Sequence, residues 1–159
     1  MNAVVKQLAQ FRLEGYTDKD SLVALLNECM PVYAEMWDKG YSRQAGHEFD
    51  PQIETLLGLV ASGTRRFVTA RVDGKIEAMQ NWYFVSDFES KARISAYMTG
   101  IYKRRHDVCD TVEFVKFGVA AMKAAGANQI LLSALAARPG LKEKMEAAGG
   151  RLVEYVMEI

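Results

Sequence analysis

The chain has no surplus of charge: 20 Lys and Arg residues balance 20 Asp and Glu. A nucleic-acid groove or a surface for acidic lipid needs an excess of positive charge, so neither partner is expected beyond local patches such as Lys103–His106. Cysteine is scarce. Cys29 and Cys109 lie far apart with no pattern linking them, which excludes a disulfide framework and fits reduced thiols inside a cell. Of the two histidines, His47 has no second His or Cys at ligand spacing and His106, beside Arg105 and Asp107, reads as a loop residue, so no metal site is expected. No segment approaches the roughly 20 apolar residues of a membrane span, and the N-terminus lacks a signal-peptide run. A cytoplasmic chain without membrane contact is the expectation. Also missing are internal repeats, linkers and, over one functional stretch, glycine: none lies between Gly100 and Gly118.

What is present suits one domain over residues 1–159. Half of the 159 residues are apolar, enough to bury roughly two-thirds of the unfolded chain's surface. Thr17 and Asp20 stand at capping-box spacing before a stripe of Leu22, Leu25, Leu26, Cys29, Met30, Tyr33 and Trp37, which predicts an amphipathic helix kinked or broken at Pro31. Asp50-Pro51 opens a second helix carrying Ile53, Leu56, Leu57 and Val60 and stopping near Gly63. The period then changes to two. Asp73-Gly74 predicts a hairpin, and "ARISAYMTGIY" a third strand. A long helix from about Asp110 to Ala125 shows Val112, Val115, Val119 and Met122 on one stripe, and "NQILLSAL" reads as a strand buried on both faces. Pro139 starts a short helix with Leu141, Met145 and Ala148, closed by Gly149-Gly150, before the alternating "RLVEYVMEI". Whether "VVKQLAQFRL" adds a first strand is open. The fold class is α/β or α+β, a mixed sheet with helices on both faces.

This order resembles the GNAT fold of the Gcn5-related N-acetyltransferases, over nearly the whole chain. The ending "LKEKMEAAGGRLVEYVMEI" is similar to the family's closing helix, tight turn and last strand. The spacing from "NWYFVSDFESKARISAYMTGIY" through "FVKFGVAAMKAAGANQILL" is similar to small GNAT-like proteins of tailed bacteriophages. The resemblance implies a mostly antiparallel mixed sheet, with the third strand and the "NQILL" strand parallel and joined by the long helix. It also implies acetyl-CoA as ligand. The backbone of Met98, Gly100 and Tyr102 would hold its pantetheine arm, and Arg104, Arg105, His106, Cys109 and Thr111 would form the pyrophosphate loop. Such a loop, written Q/R-x-x-G-x-G/A, aims backbone N–H groups and the helix dipole at the phosphates.

The sequence departs from that pattern. With Arg104 leading, Asp107 and Cys109 stand at the glycine positions; with His106 leading, Cys109 and Thr111 do. Asp107 and Asp110 are expected to turn inward and cap the helix, leaving Arg104 and Arg105 free for a carboxylate partner. Met145 stands where the family places a tyrosine acid, Gly150 replaces a phenylalanine, and Glu77 is the nearest candidate base. Cys109, at a helix start, invites a lowered thiol pKa. Trp82, Tyr83, Phe84 and Phe88 suit a half-buried strand first and a substrate cleft second. These departures favour a site that no longer binds acetyl-CoA, in a phage-encoded binding or structural module that meets a host or virion protein, with homo-oligomers open. An active N-acetyltransferase acting on a small amine or a protein amino group is the alternative reading, and a regulator of a host protein a third.

Overall fold

A computed structural model of the chain describes residues 9–16, 18–41, 48–86, 90–132 and 140–150. At the centre is the expected hairpin. Asp73 (φ 51°) and Gly74 (φ 76°) both take left-handed backbone, the geometry a two-residue turn needs between right-twisted strands. It joins β2 (Arg65–Val72) to β3 (Lys75–Ser86), with Val72 opposite Lys75. β4 (Ile94–Lys103) pairs antiparallel with β3. A first strand also forms: β1 (Gln10–Glu14) pairs antiparallel with β2. Its anchor is the Glu14 carboxylate, which is buried and accepts from Thr69 Oγ1 and Arg71 Nε, both at 2.7 Å.

Helix α1 (Lys19–Met36) is capped by Asp18, whose side chain accepts from Ser21 N at 2.8 Å, so the cap sits between the two residues the spacing suggested. Pro31 lies inside α1 without ending it. Both Pro31 and Asn27, whose carbonyl loses its i+4 donor, are exposed, so solvent can satisfy the freed carbonyl. α1 ends in a π-helical turn, Trp37–Tyr41. Helix α2 (Ile53–Ala61) begins two residues later than Asp50-Pro51 implied and leaves Ile53 40 % exposed. Helix α3 (Thr111–Ala124) is capped by Asp110. It buries Phe114, Val115, Gly118 and Met122 rather than the valine stripe alone. Helix α4 (Leu141–Ala147) follows Gly140.

The sheet order is β1-β2-β3-β4-β5, where β5 (Gln129–Leu132) runs parallel to β4. The β4–α3–β5 crossover therefore has the expected form, although β5 is half-buried rather than enclosed on both faces. Two cores result. Leu25, Leu26, Cys29 and Val32 of α1 meet Phe67, Ile76, Met79 and Tyr102 on one face, with α2 beside them. Phe114, Val115 and Met122 of α3 and Leu141 and Met145 of α4 meet Val68, Ala78, Trp82, Met98 and Ile101 on the other. Met145 is 5 % exposed, with Ile130 and Leu132 packed against the same cluster. The mixed, mostly antiparallel sheet flanked by helices is thus the expected architecture. No helix among the described residues is long and apolar enough to cross a membrane. The final "RLVEYVMEI", the opening "VVKQL" of the stretch "VVKQLAQFRL", Thr17, His47, Phe88 and Pro139 lie outside the described residues.

Candidate functional site

The site grows from an irregularity in β4. Asn81 of β3 pairs with Gly100, but the next residue, Trp82, pairs with Met98, so Thr99 is an extra residue and forms a β-bulge. A bulge shifts the side-chain alternation by one and bends the strand. Met98 and Ile101 consequently both face α3, whereas Gly100 and Tyr102 face α1. Gly100 matters sterically: a Cβ there would meet Met36 Sδ at 3.2 Å. Beside it Asn81 is 1 % exposed, and its Oδ1 has no partner among the described residues. The paired length of β5 spans only Ser95–Met98 of β4, and β4 continues past it through Thr99–Lys103.

Beyond Lys103 the chain makes the loop 104–110. Arg104 N donates to Glu77 O at 2.9 Å, and the buried Val108 plugs the loop into the α3-side core. Lys103 organises the rest: its Nζ donates to His106 O at 3.0 Å and to Cys109 O at 2.8 Å. In a trans peptide unit C=O and N–H point opposite ways. Pulling those two carbonyls toward Lys103 therefore turns the N–H groups of Asp107 and Asp110 away from it. Thr111 and Val112, in the first turn of α3, have no intrahelical acceptor. The loop and the first turn of α3 thus present free N–H groups at the helix start without any glycine.

The two aspartates behave differently from expectation. Asp110 does turn inward, accepting from Glu113 N at 2.9 Å, but this occupies one donor only. Asp107 caps no helix among the described residues; it is exposed, with an oxygen 3.8 Å from Arg105 Nε. Arg104 is not free for a partner either, since its Nη2 lies 2.8 Å from Glu35 Oε1. Arg105 and His106 stay exposed. Cys109 precedes the cap, and burial pushes its thiol pKa up, with Asp110 adding to the rise and Lys103 opposing it. That reverses the lowered value a helix start suggested, because desolvation of the thiolate outweighs the dipole.

On the α1 side Tyr102 is the centre of a polar group. Lys39 Nζ donates to its hydroxyl at 2.8 Å, and the hydroxyl lies 3.3 Å from Glu35 Oε2. The bond to Tyr102 holds Lys39 above its ordinary pKa. Glu35, Lys39, Tyr102 and Arg104 are thereby brought together from α1, the π-helical turn, β4 and the loop. Glu77 is placed elsewhere, four residues along β3 from Asn81 and so about 13 Å from the bulge. Met145 lies in the core with no proton to offer. Met98 and Tyr102 are buried and Gly100 half-buried along the cleft strand; Thr111 begins α3. Sequence reasoning missed Glu35, Lys39 and Asn81. The only local hint was the i,i+4 spacing of Glu35 and Lys39, which is common on solvated helix faces. Among the described residues no group of His, Cys, Asp and Glu could hold a metal ion.

No protein-family model matches the sequence, and no curated protein does. Solved structures do match. An aminoglycoside acetyltransferase from an uncultured soil metagenomic sample, in complex with sisomicin, superposes with TM-score 0.71 at 11 % identity, covering 98 % of this chain and 96 % of that one. A predicted acetyltransferase of Clostridium acetobutylicum with acetyl-CoA gives 0.59 at 14 %, over 96 % of each chain. Ribosomal-protein-alanine N-acetyltransferase from Brucella melitensis gives 0.56 at 12 %, over 95 % and 99 %. At such identities the likeness carries the architecture and not the activity. With the bulged β4, the parallel β5 and the loop at the start of α3, the chain has the GNAT fold of these acetyltransferases.

Proposed function

We propose that the chain is an acetyl-CoA-dependent N-acetyltransferase acting on an amine. The observation that carries this reading is the Lys103-held loop, in which Lys103 draws the His106 and Cys109 carbonyls aside at the start of α3, where a glycine-rich sequence would otherwise be required. The donor set fits a diphosphate: Asp107, Asp110, Thr111 and Val112 offer N–H groups, the helix dipole favours the negative charge, and the exposed Arg105 adds a cation. The backbone of Met98–Tyr102 runs alongside as the surface for the pantetheine arm. When bound, acetyl-CoA supplies an acetyl thioester, already activated for transfer to nitrogen.

The chain's own groups then hold and order the acceptor. The bulge at Thr99 turns Gly100 and Tyr102 toward α1, so an amine is approached from that face. The Tyr102 hydroxyl, bracketed by Lys39 and Glu35, is the polar group two residues from Gly100; it takes up the proton that the amine loses as its own O–H proton passes to the Glu35 carboxylate. Met145 gives no acid, so positioning carries more of the rate. Calorimetric titration with acetyl-CoA tests the reading. A Kd of 100 μM or tighter, about 5.5 kcal/mol, is expected; a Kd weaker than about 1 mM overturns it.

A second reading rests on the Asp110 carboxylate at the same helix start and on the ion pair that withdraws Arg104 from the loop. On that reading the fold is a binding module for a host or virion protein, as the phage-like pattern suggests. Failure of the titration would favour it.

A further inference from the structure

Buried arginines normally meet a carboxylate, because an uncompensated guanidinium in a dry site is costly. Arg65, at the start of β2, is 5 % exposed and has no ion-pair partner among the described residues. Its Nη2 donates to the Tyr33 hydroxyl at 3.4 Å, and its Nε bonds to nothing described. Aromatic rings surround it instead, with the guanidinium carbon 4.5 Å from the Tyr83 centroid and 5.7 Å from those of Tyr33 and Phe67. Ring faces offset part of the desolvation but supply no negative charge. This cation lines a cleft of about 240 Å³ whose walls include Tyr33, Trp37, Phe49 and Tyr83. Glu48 and Asp50 also line it, but both are exposed and neither pairs with Arg65.

The cleft adjoins the transfer site. Tyr83 lies two residues along β3 from Asn81, about 7 Å, and Asn81 faces Gly100 beside the bulge. The end of α1 spans both, with Tyr33 over Arg65 and Met36 over Gly100. We infer that this cleft is the acceptor site and that the acceptor is a small amine that also carries a carboxylate. Arg65 takes the carboxylate, Tyr33, Trp37 and Phe49 cover the apolar body, and the rim acids attract the ammonium group. The fork of guanidinium donors matches a carboxylate better than it matches a neutral or purely cationic amine. The assignment rests on the transfer reading for its role as acceptor, and on Arg65 alone for its chemistry.

The test uses two matched probes, L-phenylalanine and 2-phenylethylamine, which differ by the carboxylate. Each is titrated into the full chain without acetyl-CoA, followed by calorimetry and tryptophan fluorescence. The carboxylate probe is expected to bind at least about 10-fold more tightly, and Arg65→Met to reduce that preference to within about twofold. If Arg65→Met fails to fold, the two probes on the unaltered chain still decide. Equal affinities, or tighter binding of the carboxylate-free amine, would overturn the assignment, as would Glu48 or Asp50 swinging in to neutralise Arg65 and erase the preference. Since no acetyl-CoA is present, failure of the cofactor titration counts against acetyl transfer and leaves this result intact.

Discussion

Replacing Lys103 by Met removes the clasp of the loop while keeping a side chain of similar length. Two charge-assisted bonds disappear, at 3.0 and 2.8 Å. Such bonds contribute about 1.5–3 kcal/mol each when shielded; Lys103 is half-buried, so roughly 2–3 kcal/mol for the pair is a fair total after screening. Part of this is lost from the fold, lowering Tm by roughly 2–8 °C for about 1–2 kcal/mol. The remainder appears as the cost of ordering the loop around a ligand. Acetyl-CoA affinity should therefore fall about fivefold, about 1 kcal/mol. Arg105→Met is the control, because it deletes a nearby charge that bonds to no loop carbonyl among the described residues. Its effect should be smaller and should fade with salt, whereas the Lys103→Met loss should persist at high ionic strength. Calorimetry at low and at about 0.5 M salt separates the two. Identical losses for both variants, or a Lys103→Met affinity within twofold of the unaltered chain, would refute the idea that Lys103 replaces glycine.

Gly118→Ala should destabilise by about 1–3 kcal/mol in chemical denaturation, because the new Cβ would overlap the Gln80 amide oxygen and come within 3.0 Å of Trp82 Cζ2. Gln80 cannot step aside cheaply, since it donates to Phe114 O at 2.7 Å and accepts from Trp82 Nε1 at 2.9 Å. Met145→Ala should cost about 2–5 kcal/mol; a loss below about half a kcal/mol would mean that the side chain leaves the core and lines the cleft. Cys29 is fully buried, and burial pushes its thiol up to about 12, with Glu14 contributing. A raised acid pKa stabilises the fold below the unfolded value and loses that contribution as pH rises, here between about pH 9 and about pH 12. Cys29→Ala should flatten the fall in stability over that window; an unchanged slope would contradict the assignment.

The features legible in the sequence are those in which neighbours along the chain do the physical work. Asp73-Gly74 turns because both residues tolerate positive φ, whatever surrounds them. Asp110 caps α3 because its carboxylate reaches an amide three residues on. The alternation of β2, β3 and β4 and the crossover through α3 to a parallel β5 follow from period and connection length, and these were enough to point to the fold. Pro31 did not break α1, because it and Asn27 are exposed and solvent can satisfy the freed carbonyl. Cys109 misled because the helix dipole is local and burial is not. Strand β1 stayed open in the sequence: Gln10–Glu14 acquire meaning only opposite β2, with Glu14 held by Thr69 and Arg71. The site depended on tertiary structure almost throughout. Glu35 reaches Arg104 and Tyr102 across 67 or more positions of sequence, and the Thr99 bulge exists only in relation to β3. Arg65 looks like any surface arginine until α1, β2 and β3 enclose it in rings and leave its charge without a partner. Sequence records which groups a chain can offer; burial and long-range pairing decide which of them are left for a ligand.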